Sequence, residues 1–137
     1  MMEWHVYIDG ASSGNPGESG AGIVGFNESG HELFRESIYL GHMTNNMAEY
    51  EALVRALTKA HQLSIKSLCI YSDSLLVVNQ VTGKYKIKNP ELLKYAQTAK
   101  TIIRYFNSFT LEYIPREKNR LADKIARVAV KKKGVDG

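Results

Sequence analysis

The spacing of apolar and polar positions changes several times along the chain, and each change marks an element. Trp4, His5, Val6, Tyr7 and Ile8 form a mostly apolar run, predicting a strand over about residues 2–9. Residues 10–17, rich in Gly and Ser with Asn15 and Pro16, read as a turn-rich loop. A second strand is predicted over 21–26, a hairpin turn at Asn27-Glu28-Ser29-Gly30, and a third strand over about 31–40. Helical spacing then takes over. Met47, Tyr50, Leu53, Val54 and Leu57 recur on one face behind a helix N-cap at Thr44 or Asn45, predicting a helix to about residue 63. A short apolar strand follows over 66–72, then a short helix over 74–81 that stops near Gly83. Lys84-Tyr85-Lys86-Ile87-Lys88 is a basic connector. Pro90 suits the first turn of the next helix, whose inner face carries Leu92, Leu93, Ala96, Ala99, Ile102 and Ile103. A strand over 109–114 and a last helix over 119–131 complete the pattern, and the lysine-rich tail, 131–137, is expected to fray.

The order β-β-β-α-β-α-α-β-α is a meander followed by alternating helices and strands. It predicts an α/β fold: a five-stranded mixed sheet, three antiparallel strands then two parallel, flanked by helices. Right-handed crossovers would place the first strand centrally, with Asp9 and Asp73 leaving neighbouring strands at the same sheet edge. That edge is where open α/β sheets bind ligands. A chain of 137 residues, 44% hydrophobic, suits one domain over 1–130 with a core that needs no staples, and a short tail over 131–137.

Charge adds little. The net charge of +4, from 18 basic and 14 acidic residues, is compatible with a polyanionic partner but common in unrelated proteins. Cys69 stands alone, which excludes an intrachain disulfide and suggests a small buried hydrophobe. No charged leader precedes an apolar stretch and no apolar run is long enough to span a membrane, so a cytoplasmic, membrane-free monomer is expected.

Chemistry enters with four carboxylates. Asp9 closes the first strand, Glu49 opens the long helix, Asp73 follows the fourth strand, and Asp123 lies early in the last helix. All four are expected to lack the cationic partners of a surface salt bridge. Singly, the aspartates read as turn or cap residues, and Glu49 as an acid favoured by the helix dipole. Together they would repel one another, and such a cluster implies a cation. An all-oxygen set suits Mg²⁺ or Mn²⁺, whose usual chemistry is phosphoryl transfer.

Four segments, in this order and on these elements, resemble the type 1 ribonuclease H family. They are Tyr7-Ile8-Asp9-Gly10 with Gly14-Asn15-Pro16-Gly17, Thr44-Asn45-Asn46-Met47-Ala48-Glu49, Tyr71-Ser72-Asp73-Ser74, and Asn119-Arg120-Leu121-Ala122-Asp123. The resemblance covers about residues 4–130. It implies cleavage of the RNA strand of RNA·DNA hybrids, with two Mg²⁺ ions (or Mn²⁺ as substitute) held by Asp9, Glu49, Asp73 and Asp123, leaving 5′-phosphate and 3′-hydroxyl ends. Asp9 would bridge both ions, Glu49 and Asp73 would complete the site on the attacking side, and Asp123 would hold the other ion. Asn119 matches a position that orients the site. Gly14 and Asn15 would sense ribose 2′-hydroxyls. Asn45 and Asn46 would contact bases across the minor groove, Thr44 would bind a DNA-strand phosphate with Asn89 beside it, and Ser74 belongs to the same substrate surface.

The chain departs from better-known bacterial members in two places. Where they carry a histidine in the loop before the last carboxylate, this chain has Ile114-Pro115-Arg116-Glu117-Lys118. Arg116 would contact the scissile phosphate or help release product, but it is a poor proton acceptor. The long basic protrusion is absent, leaving Tyr85 and its neighbouring lysines, as in compact archaeal-like and retroelement-like branches. His5, His31, His42 and His61 are expected to be structural or surface residues. The competing expectation is a weakly active or inactive module that binds hybrid or double-stranded RNA on the same fold.

Overall fold

The computed structural model describes the backbone of residues 2–136 and the side chains of residues 2–132. Among these the elements run β1 (Glu3–Ser12), β2 (Gly17–Phe26), β3 (Glu32–Met43), α1 (Asn45–Gln62), β4 (Ser67–Ser72), α2 (Leu75–Val81), α3 (Pro90–Ile103), β5 (Ser108–Tyr113) and α4 (Arg120–Asp136). A single 3-10 turn at Arg116–Lys118 precedes α4. The strands form one sheet in the order β3-β2-β1-β4-β5. β1 pairs antiparallel with β2 and parallel with β4, so the central strand is the one that carries Asp9, as expected.

Alternation along β1 and β4 divides the side chains between two layers. Trp4, Val6 and Ile8 of β1, with Leu68 and Ile70 of β4, face α1 and α3 and meet Tyr50, Leu53, Leu57, Leu92 and Ala96. Fully burying each large aliphatic side chain contributes about 1.5–3 kcal/mol, so this layer dominates stability. The other layer is thinner: α4 packs on β2, β1 and β3 through Ala122, Ile125, Ala126 and Ala129. Only small residues fit there. A Cβ on Gly22 would lie 2.2 Å from the Ala122 carbonyl oxygen, and one on Gly20 would lie 2.5 Å from that of Ala126.

Three expectations about element ends need correction. β1 continues past Asp9 to Ser12 and β2 begins at Gly17, leaving a turn of four residues rather than a long loop. Composition there is loop-like, but ladder pairing from Asp9–Gly22 to Ser12–Ser19 overrides it. β3 extends to Met43 for the same reason. α4 runs on to Asp136 rather than ending near residue 131. The side chains of residues 133–137, where much of the expected basic tail falls, lie outside the described residues. Cys69 is half-buried rather than buried: Leu68, Ile70 and Ser72 take the core side of β4, which turns Cys69 to the thinly covered face. The connector over 82–89 holds no helix, consistent with a chain lacking a protrusion.

Candidate active site

Three elements converge at the end of β1. The parallel register places Ile8 opposite Ser72, so Asp9 and Asp73 are the next residues on adjacent chains. α1 passes so close that a Cβ on Gly10 would sit 2.3 Å from the Ala48 carbonyl carbon. That contact brings Glu49 onto the strand, where its Oε1 accepts the Gly10 N–H at 2.6 Å. Glu49 is the fifth residue of α1, beyond the first turn, so it answers to β1 rather than to the helix dipole. One carboxylate oxygen from each of Asp9, Glu49 and Asp73 lies within 4.8 Å of the others.

Asp123 comes from α4, in the first turn. Asp9 pairs in register with Gly22, the residue on which Ala122 rests, so the seat of α4 on β2 carries Asp123 towards Asp9. Its carboxyl is a hydrogen-bond neighbour of Asp9 but stays outside the tight group of three. Arg127, one turn on, holds it: Nη2 lies 2.7 Å from Oδ2 and Nε 3.2 Å from Oδ1. The expectation that all four carboxylates lack cationic partners is therefore wrong for Asp123. The i,i+4 spacing of Asp123 and Arg127 was the available signal.

Asn119 braces the cluster. Its Nδ2 donates to the Ile8 carbonyl at 2.8 Å and to Asp73 Oδ2 at 3.2 Å, and the side chain is buried. One amide thus ties β1, Asp73 and the approach to α4 together. Its Oδ1 is buried without a protein partner.

The electrostatics are those of a site awaiting positive charge. Asp9 and Glu49 are only 5% and 7% exposed. Burial pushes the Asp9 carboxyl far above its ordinary value, and the charges of Glu49 and Asp73 push it further. Burial also raises Glu49, reinforced by Asp73 and opposed by the Gly10 N–H. Three oxygen donors so close, two of them desolvated and none paired with a cation, fit a hard divalent ion.

A cleft of about 510 Å³ opens over the cluster, lined by Asp9, Glu49, Asp73, Asp123, Asn45 and Arg116 among others. Arg116 is exposed on the 3-10 turn and lines the cleft. Arg127 and Lys131 also line the cleft; the sequence reading missed the first and assigned the second to a solvated tail.

The expected substrate residues divide. Asn15 reaches from the β1–β2 turn to α1, its Oδ1 accepting the Asn45 N–H at 3.0 Å, so these two are brought together beside the cleft. Gly14 sits exposed in that turn, its carbonyl accepting the Ser12 hydroxyl. Asn46 is exposed next to Asn45. Thr44, Ser74 and Asn89 serve first as N-caps of α1, α2 and α3. Thr44 Oγ1 accepts from Met47 N–H at 3.2 Å, Ser74 Oγ from Val77 N–H at 3.3 Å, and Asn89 Oδ1 from Glu91 and Leu92 N–H at 2.8 and 3.2 Å. None of the three lines the cleft.

Comparison with known proteins shows the family and the fold. Residues 7–129 match a family model described as reverse transcriptase-like. A protein named ribonuclease HI from Halobacterium salinarum is 34% identical over 126 residues, covering 92% of this chain and 63% of that protein. Mycobacterial relatives are 37% identical over 130 residues, of which the chain spans 36% of their length. The N-terminal RNase H domain of a Mycobacterium tuberculosis protein superposes with a TM-score of 0.93 at 33% identity, covering 99% of both chains. An RNase H1 isolated from compost, solved in complex with RNA/DNA hybrid, gives 0.89 at 37% identity, covering 95% of this chain and 98% of that one.

Proposed function

The chain belongs to the reverse transcriptase-like family and has the ribonuclease H fold, and from that membership and the geometry of its site we propose that it hydrolyses the RNA strand of RNA·DNA hybrids. The observation that carries the proposal is the group of Asp9, Glu49 and Asp73, three carboxylates within 4.8 Å at the ligand-binding edge of the sheet. Asp9, Glu49, Asp73 and Asp123 would hold two divalent cations, Mg²⁺ or Mn²⁺. Bound there, such ions would supply a water of lowered pKa and Lewis-acid stabilisation of a phosphate, chemistry that would leave 5′-phosphate and 3′-hydroxyl ends.

The protein's own contribution is position. Asn119 fixes Asp73 against β1, and the Gly10 N–H fixes Glu49, so the acidic oxygens face the cleft before any ion arrives. Arg116 at the rim is a fixed positive charge for a backbone phosphate. Asn15 and Asn45 join the turn and the helix start into one surface beside the cleft, suited to 2′-hydroxyls and base edges. The Arg127–Asp123 ion pair gives weight to a second reading, weak turnover, because a cation entering at Asp123 competes with a guanidinium already there.

The test is cleavage of a labelled hybrid with Mg²⁺, Mn²⁺ or chelator, with single-stranded RNA, double-stranded RNA and duplex DNA as controls, alongside Asp9→Asn. Metal-dependent cutting of the hybrid's RNA strand, lost in the variant, is expected. A folded protein that binds hybrid and cuts nothing under either metal would leave only the binding-module reading, and cutting of double-stranded RNA alone would move the substrate.

A further inference from the structure

A second group of metal-competent side chains lies towards the other end of the same central strands. Because β1 and β4 are parallel and in register, Glu3 stands beside Ser67, His5 beside Cys69 and Tyr7 beside Tyr71. Alternation turns this set to one face. Atoms of the Glu3 carboxylate, His5 imidazole and Cys69 thiol lie within 4.8 Å of one another. Glu3 Oε1 is 2.8 Å from His5 Nε2. A tetrahedral ion with bonds of about 2.0–2.3 Å needs donors about 3.3–3.6 Å apart, a spacing reached here by small side-chain rotations.

The surroundings support ligation. The Ser67 hydroxyl donates to Glu3 Oε2 at 2.8 Å, which orients the carboxylate towards His5. His5 Nδ1 lies 2.9 Å from the Tyr71 hydroxyl, which also meets the Cys69 thiol. Orienting an imidazole through its second nitrogen is what metal-ligating histidines require. All three candidate ligands are half-buried, and a cavity of about 500 Å³ lined by His5, Tyr7, Phe26 and Lys118 adjoins the imidazole. Three protein ligands with a position open to solvent form a recognised pattern for zinc.

We propose that Glu3, His5 and Cys69 form a Zn²⁺ site that is separate from the carboxylate cluster and clips β1 to β4. The donor sets keep the two sites chemically distinct. Asp9, Glu49 and Asp73 offer only hard oxygen, whereas a thiolate and an imidazole select a borderline ion over Mg²⁺. The sites are also apart, since His5 and Asp9 are separated by four residues, about 13 Å at the rise of a strand.

Cobalt is the probe, because Co²⁺ takes the same ligands as Zn²⁺ and absorbs light when bound to thiolate. The protein, reduced and in excess Mg²⁺ to fill the carboxylate cluster, is titrated with Co²⁺. The expected result is a near-ultraviolet thiolate-to-cobalt band with tetrahedral d–d bands, saturating at one ion per chain and bleached by Zn²⁺. Cys69→Ser abolishes the charge-transfer band, His5→Gln and Glu3→Gln weaken it at least several-fold, and Asp73→Asn leaves it unchanged. Circular dichroism of each variant checks folding. Failure of the band to appear, its survival in both His5→Gln and Glu3→Gln, or its appearance only in a cysteine-bridged dimer on sedimentation would overturn the proposal.

Discussion

Asp9 shows at the scale of one residue what a buried carboxylate crowded by other acids costs the fold. Its carboxyl is raised by burial and by neighbouring negative charge, so the native state binds a proton more readily than the unfolded chain, where Asp titrates at about 3.9. Below that value both states are protonated and nothing is lost. As pH rises towards the raised native value the metal-free protein loses stability. Asp9→Asn removes a group that must take up a proton on folding, so it abolishes metal-dependent cleavage yet stabilises the metal-free protein by about 1–3 kcal/mol near pH 8, with little gain near pH 4. Chemical denaturation at both pH values, in chelator, measures this; a variant less stable than wild type at pH 8 would contradict it. Arg127 gives the opposite case. Its side chain is 57% exposed, so its pair with Asp123 is worth about 1 kcal/mol at most. Arg127→Gln should lower the Mg²⁺ concentration for half-maximal cleavage by up to about five-fold. An unchanged or higher requirement would show that the guanidinium does not compete with the ion.

The decisive element is the pairing of α4 with β2. Gly22→Ala places a methyl carbon against backbone, where no side-chain rotation can give way, so α4 must lift. Overpacking of this kind costs about 1–3 kcal/mol. Because Asn119 and Asp123 lie just before and within the first turn of α4, activity should fall by more than the lost stability explains. Thermal melts and cleavage rates at a temperature where the variant stays folded separate the two, and a variant with full activity would show that α4 need not sit so close. Elements of this kind also set what the sequence could disclose. The order of strands and helices followed from periodicity, and Asp9, Glu49 and Asp73 fell together because crossovers place those strand and helix ends at one edge. The extended ends of β1 and β2 were hidden, since Gly, Ser and Ala there serve close helix approach and pair only through backbone. The partner of Asp123 lies one helical turn away at Arg127, a neighbour on the helix surface but not along the sequence. Thr44, Ser74 and Asn89 were legible as caps, and that is where their side-chain oxygens are used.

Taken as a whole molecule, the chain is compact around its cleft and carries no basic helical protrusion among the described residues. Lys84, Lys86 and Lys88 are exposed on a short connector, and Arg116, Arg127 and Lys131 ring the cleft. Hybrid binding through so few phosphates should be weak, and its affinity should fall only shallowly with salt, because few counterions are released. The expected outcome is a Michaelis constant several-fold above that of a protrusion-bearing ribonuclease H assayed at equal salt. Equal or lower values would mean that Asn15, Asn45 and the cleft cations grip the hybrid unaided. The glycine seat of α4 has one more consequence, for the timing of synthesis. Asn119 and Asp123 leave the ribosome after Asp9, Glu49 and Asp73, and α4 seats on the paired strands β1 and β2. A nascent chain that ends short of α4 holds three mutually repelling acids and no brace for Asp73. The acidic site is therefore completed only late in translation, once α4 has been made and has settled on the sheet.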